Sequence, residues 1–103
     1  MAHTIEHDPI ENGHLIAASG ELDLAATPEL STILLMAAES PGTTVVLDLS
    51  GVEFIDSTGL QVLVVAGRRS ELDSNRLGVR RGTGEVARLM KLTQIDATVR
   101  LLD

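Results

Sequence analysis

Hydroxyls, carboxylates and imidazoles are the groups in this chain that could do chemistry. Asp56, Ser57 and Thr58 stand together between Phe54-Ile55 and Gly59-Leu60. A carboxylate beside two hydroxyls does not make a nucleophilic site, because an ordinary serine is a weak nucleophile until a positioned general base takes its proton. The histidines that could serve, His3, His7 and His14, all fall within the first fourteen residues. Their spacings of four and seven would need a helix to converge, and on strands they are expected to be surface histidines rather than a metal site. Neither phosphate-cradling pattern, G-x-x-x-x-G-K-[ST] or G-x-G-x-x-G, occurs, and Gly82-Thr83-Gly84 reads as a turn before a helix. The absence of cysteine removes disulfides, thiolate ligands and thiol catalysis together, and fits a reducing compartment. Enzymatic use of Ser57 or Asp23 thus has no base, metal set or phosphate loop behind it. The expectation is a protein without catalytic residues or cofactor.

A hydroxyl that lacks a catalytic partner can still accept a phosphate. Thr58 and Gln61 have the spacing of a capping box, in which the hydroxyl satisfies a helix amide and the amide side chain reaches back. Ser57 would then lie just before the first turn, exposed, where free amides and the helix dipole favour an anion by about 0.3 to 1 kcal/mol. Phosphorylation there would add roughly two negative charges beside Asp56 and alter whatever surface a partner reads.

The elements that position this segment can be read from periodicity. Asn12-Gly13 has the composition of a type I′ hairpin turn between a strand near Thr4 to Glu6 and another from His14 to Gly20. Thr27-Pro28-Glu29 reads as N-cap, first helical position and first-turn acid, and Leu30, Ile33, Leu34 and Ala37 give a helix ending near Ser40. Thr44 to Leu49 is β-branched and apolar, as in a central strand covered on both faces. Leu60 to Arg69 is assigned to helix on the face formed by Leu60, Leu63, Val64 and Gly67. Val62, Val65, Ala66 and Arg69 are left on another side, so the helix is either covered twice or covered by a partner. Leu77 to Arg80 reads as a strand, Thr83 to Leu92 as a helix with Val86, Leu89 and Met90 inward, and Thr98 to Leu102 as a last strand. The order β-β-α-β-α-β-α-β defines an α/β domain with a mixed, mostly parallel sheet, an opening hairpin and packed helices.

A chain of 103 residues has room for one domain, expected to span residues 1–103. Its formal net charge is −7, and residues 1 to 67 contain no Lys or Arg. That balance argues against nucleic acid, which needs a dominant basic footprint, and favours a protein partner. Arg68, Arg69, Arg76, Arg80 and Arg81 read as a solvated rim or as local ion pairs. The amino-terminal residues lack the pattern of a secretory signal, and no apolar run reaches the roughly 18 residues of a membrane span. The cytoplasm is the expected location, with no direct membrane insertion.

The segments Gly20-Glu21-Leu22-Asp23-Leu24, Thr27-Pro28-Glu29-Leu30, Val46-Leu47-Asp48-Leu49-Ser50 and, above all, Phe54-Ile55-Asp56-Ser57-Thr58-Gly59-Leu60 resemble the STAS domain of bacterial anti-sigma factor antagonists. The likeness covers nearly the whole chain, by pattern alone in the carboxy-terminal third. It implies a switch: the unphosphorylated domain binds an anti-sigma factor that is itself an ATP-dependent serine kinase, frees the sigma factor, and is released by phosphorylation. A phosphatase resets it. Carried over by position, Ser57 is the phosphoacceptor with Thr58 as rival, and Asp23, Asp56, Ser57, Thr58, Gly59, Leu60 and Val62 face the partner. Many family members have serine at Thr58 and a small residue at Gln61, where this chain departs. The domain also serves as a small subunit of membrane lipid-transport complexes and in stressosome-type scaffolds, which are the alternative readings.

Overall fold

A computed structural model describes residues 3–37, 42–72, 76–82, 84–94 and 99–102. The chain opens with a hairpin of β1 (His3–Ile10) and β2 (Gly13–Leu22), paired antiparallel with Ile10 opposite Gly13. The turn is therefore Glu11-Asn12, one residue earlier than expected, and only Asn12 has a positive φ, 60°. Gly13 sits in the strand for a different reason. A Cβ on it would lie 1.8 Å from the carbonyl oxygen of Thr44, so β2 and β3 approach there as only glycine permits.

After the hairpin, strand and helix alternate: α1 (Thr27–Ala37), β3 (Thr44–Ile55), α2 (Ser57–Leu72), β4 (Arg76–Arg80), α3 (Glu85–Leu92) and β5 (Arg100–Leu101). The five strands form one sheet in the order β1-β2-β3-β4-β5, antiparallel at the first pair and parallel at the other three. Each parallel step needs a crossover, which the three helices supply. The element order and the mixed, mostly parallel sheet are those expected from sequence. The expected helix end at Ser40, and Thr83 and Thr98 in the last helix and strand, lie outside the described residues.

Strand β3 runs six residues beyond its expected end at Leu49. Against β2 it carries two irregularities: Ala17 and Ser19 face Asp48 and Gly51, and Gly20 and Glu21 face Val52 and Phe54. At each of them β3 uses one residue more than its partner, as in a β-bulge. At the first, the Asp48 carboxylate accepts hydrogen bonds from the Ser50 backbone N–H at 2.9 Å and the Ser50 hydroxyl at 2.6 Å. Asp-Leu-Ser-Gly has turn chemistry, and here that chemistry bends a strand instead of ending it. Between Thr44 and Leu49 burial alternates strictly, with Val45, Leu47 and Leu49 sealed and their neighbours half-buried. The strand is closed on one face only, not on both as expected.

The core is aliphatic. Ile16, Leu22, Leu30, Leu47, Leu49, Leu63, Val79, Val86 and Met90 are its largest fully buried side chains. In α2, Gly59, Leu63 and Gly67 are buried and Leu60 and Val64 half-buried, in agreement with the expected inward face. Val86 and Met90 of α3 are buried and Leu89 half-buried, likewise as expected. Thr27 does not cap α1: its hydroxyl donates to the Leu24 carbonyl at 3.3 Å, and the first helical bond runs from Leu30 N–H to the Ala26 carbonyl. Helix α3 begins after Gly84, which has φ 89° and offers no side-chain cap.

Candidate functional site

Strands β2 and β3 end side by side, with Leu22 paired to Ile55. Because they are parallel and each feeds a helix, the amino ends of α1 and α2 emerge at the same end of the sheet. Open α/β sheets commonly carry their ligand sites at the carboxyl ends of the strands. A hydrogen bond of 3.3 Å from the Asp56 N–H to the Leu22 carbonyl ties the two strand ends together.

Asp56 is the N-cap of α2. Its carbonyl accepts the first helical bond from Leu60 N–H at 3.0 Å, and its Oδ1 accepts the backbone N–H groups of Thr58 at 3.0 Å and Gly59 at 3.1 Å. The Thr58 hydroxyl donates to the same oxygen at 2.5 Å, the length of a charge-assisted bond. Leu24 N–H, from the turn after β2, adds a further donor. The Thr58 hydroxyl foremost, then the Gly59 amide, hold the Asp56 carboxyl below the ordinary carboxylate range. The expected capping box is thus replaced: Thr58 supports the cap rather than forming it, and Gln61 is exposed.

Ser57 occupies the first helical position, inside the first turn rather than before it, and is exposed as expected. No group among the described residues binds its hydroxyl. Free amides were expected at this helix start, and the neighbouring Thr58 and Gly59 amides are already taken by Asp56. Gly59 is required by space, since a Cβ there would lie 2.7 Å from Ile55 Cγ1 and 2.8 Å from the Leu22 carbonyl oxygen. The start of α2 is pressed onto the strand ends in consequence.

Asp23 belongs to the same end of the sheet. Its side chain accepts the Ala25 N–H at 3.1 Å, and its carbonyl accepts the N–H groups of Ala26 and Thr27, so it organises the turn into α1. Asp23, Asp56, Ser57, Thr58 and Gly59 are therefore brought together. Leu60 is half-buried against the core, and Val62 lies further along α2 in a groove facing α1. Two exposed apolar residues at this end escaped the sequence reading: Leu24, 70% exposed in the turn that touches Asp56, and Phe54, 46% exposed near the end of β3. Leu24 could have been found as an aliphatic residue in a turn it does not need to stabilise. Phe54 could not, since its place on β3 lies beyond the strand end expected at Leu49.

The histidines also differ from expectation. His7 Nε2 and His14 Nδ1 lie 2.8 Å apart because antiparallel pairing places these residues diagonally across the hairpin. His3 Nε2 lies 3.0 Å from Glu29 Oε1 on α1. Among the described residues, no group of three or more His, Asp or Glu side chains gathers as metal ligands would. Arg80 pairs with Asp48 at 3.7 Å, one of the local ion pairs expected of the arginines. No helix of the described residues is long and apolar enough to cross a membrane.

A family model described as "Mlab, STAS domain" matches residues 10–103. A comparison with curated proteins found no match. Among solved structures, an anti-sigma factor antagonist from Mycobacterium paratuberculosis is 27% identical, with a TM-score of 0.79 over 97% of this chain and 85% of that one. The anti-sigma factor antagonist SpoIIAA in its unphosphorylated form aligns at 19% identity and TM-score 0.71, covering 97% and 88%. The phosphorylated form of SpoIIAA, described as a Bacillus cell fate determinant, aligns at 16% identity and TM-score 0.76, covering 97% and 92%. The fold is that of a small SpoIIAA-like α/β domain. The chain belongs to the STAS-domain family and is similar in structure to its anti-sigma factor antagonists.

Proposed function

We propose that this chain is an anti-sigma factor antagonist of the cytoplasm, docking through the sheet end that carries Asp23, Leu24, Asp56, Ser57 and Gly59, and released by phosphorylation of Ser57. The observation that carries the reading is the free, exposed Ser57 hydroxyl on a helix start whose amides are already committed to Asp56. The partner would be an anti-sigma factor that is also a serine kinase. It would transfer the γ-phosphoryl group of ATP to Ser57 Oγ, with the hydroxyl proton passing to a base of the kinase and ADP leaving. A phosphatase would hydrolyse the ester. With the Thr58 and Gly59 amides held by Asp56, those two donors are not open to the phosphate, whose charge would stand next to Asp56. Docking an apolar surface with Leu24 and Phe54 against that charge becomes unfavourable through desolvation and repulsion.

Ser57 is favoured over Thr58 as acceptor because the Thr58 oxygen is half-buried and engaged with Asp56, so its modification would break the cap. The test uses an anti-sigma kinase, ATP, intact-mass spectrometry and calorimetry. Ser57→Ala should bind like the wild type and gain no phosphate, while the phosphorylated wild type should lose about 3 kcal/mol of binding, over a hundredfold in affinity. Equal binding by the two wild-type forms would overturn the switch. Phosphate on Ser57→Ala at Thr58 would move the site by one residue.

A further inference from the structure

Helices α1 and α2 touch over part of their length and leave a groove open beside the contact. Between them lies an open groove of about 300 Å³, floored by side chains of β3 and β4 and walled by Leu34 and Leu35 of α1 and by Val62, Val65 and Ala66 of α2. Leu35 and Val65 remain 49% and 54% exposed, so the groove is a way in and not a sealed void. Its volume falls at the lower end of the roughly 300 to 1,000 Å³ of small-molecule sites.

The lining says what would fit. Its apolar part is wholly aliphatic, with no ring to stack a base or a flat heterocycle. Among the described residues no acidic side chain lines the groove, and the one ionisable lining group is the Arg69 guanidinium, with Ser31 and Gln61 as neutral polar groups. A flexible aliphatic body with one negative end matches this charge and shape. Arg69 already has an interaction within the chain, but its five N–H donors allow it to serve a carboxylate as well. A net charge of −7, with no Lys or Arg in residues 1 to 67, opposes docking on an anionic bilayer.

We propose that the α1–α2 groove binds a medium-chain aliphatic carboxylate, with the acyl chain along Leu34, Leu35, Val62 and Val65 and the carboxylate at Arg69. This site is separate from the Ser57 end of the sheet and does not depend on the phosphorylation reading. The test titrates sodium octanoate, below its micelle concentration, into the methyl-labelled full chain and follows the Leu and Val methyl resonances, with 1-octanol as the uncharged comparison. Saturable shifts should be confined to the groove methyls. Arg69→Gln, at an exposed position, should weaken octanoate about tenfold, the effect of losing one charge-assisted contact, and leave octanol unchanged. Ala66→Leu should fill the groove and weaken both, with the methyl spectrum elsewhere reporting that the chain is folded. Ser57→Ala should bind octanoate as the wild type does. Absence of saturable groove shifts, or an Arg69→Gln chain that binds octanoate as well as the wild type, would overturn the proposal.

Discussion

At the scale of single residues, the start of α2 depends on one carboxylate that accepts three backbone N–H groups and a hydroxyl. A carboxyl held below its ordinary pKa of 3.8 in the folded state contributes stability above that value, and the contribution is lost as the pH falls through the lowered folded-state pKa. Asp56→Asn should therefore have a lower urea midpoint than the wild type at neutral pH, and the gap should narrow as the pH falls below the ordinary carboxylate range. A gap that stays constant would mean that the charge of Asp56 is not what caps the helix. Thr58→Val should lose part of the same effect, because the three backbone donors remain. The sequence allowed Ser57 to be placed on an exposed helix start but misassigned the cap. Asp56 and Thr58 are both good capping residues, and a shift of two positions leaves the apolar pattern of the helix unchanged. Phe54 stayed hidden because exposure at a sheet end depends on tertiary neighbours that periodicity does not report.

At the scale of elements, two glycines set how closely strands and helices approach. Gly13→Ala drives a Cβ into the Thr44 carbonyl, a rigid backbone atom, so the loss should lie at or above the top of the roughly 1 to 3 kcal/mol typical of overpacking. Gly59→Ala meets the Ile55 side chain as well as the Leu22 carbonyl, and partial yielding of Ile55 should keep its loss within the same range of about 1 to 3 kcal/mol. Urea unfolding of both variants checks the order: Gly59→Ala less stable than Gly13→Ala would show that the strand contact yields more easily than the helix start. The hairpin, the helices and the alternation were legible because each is written in a local period of two or 3.6 residues. The length of β3 was not. Asp48-Leu49-Ser50-Gly51 carries the residues of a turn, and only pairing with β2 makes it a bulge within a continuing strand. Gly13 likewise has the residue type of a turn, and its need for close approach arises from Thr44, thirty-one positions away.

At the scale of the whole molecule, charge and edges matter more than any one contact. Ten acidic residues and no Lys or Arg occupy residues 1 to 67, so the folded chain gathers like charge on its first strands and helix. Screening relieves that repulsion, and the thermal midpoint should rise as sodium chloride is added up to about physiological ionic strength, where the Debye length is near 8 Å. A midpoint that falls would assign more weight to local pairs such as Arg88 with Glu85, at 2.6 Å. The sheet also has two edges, and among the described residues β5 covers only Gly78 and Val79 of β4. The rest of that strand begins and ends in Arg76 and Arg80, both exposed. Arg76 and Arg80 put two positive charges on the part of β4 that β5 leaves uncovered, and a further strand added there would have to face them. On the other side β1 presents exposed Glu6, Asp8 and Pro9. Both margins of the sheet are thereby guarded against growth into fibrils. Replacing Arg76 and Arg80 together by threonine should leave the fold standing and raise light scattering on concentration, so the arginines keep the chain in solution as well as contributing charge.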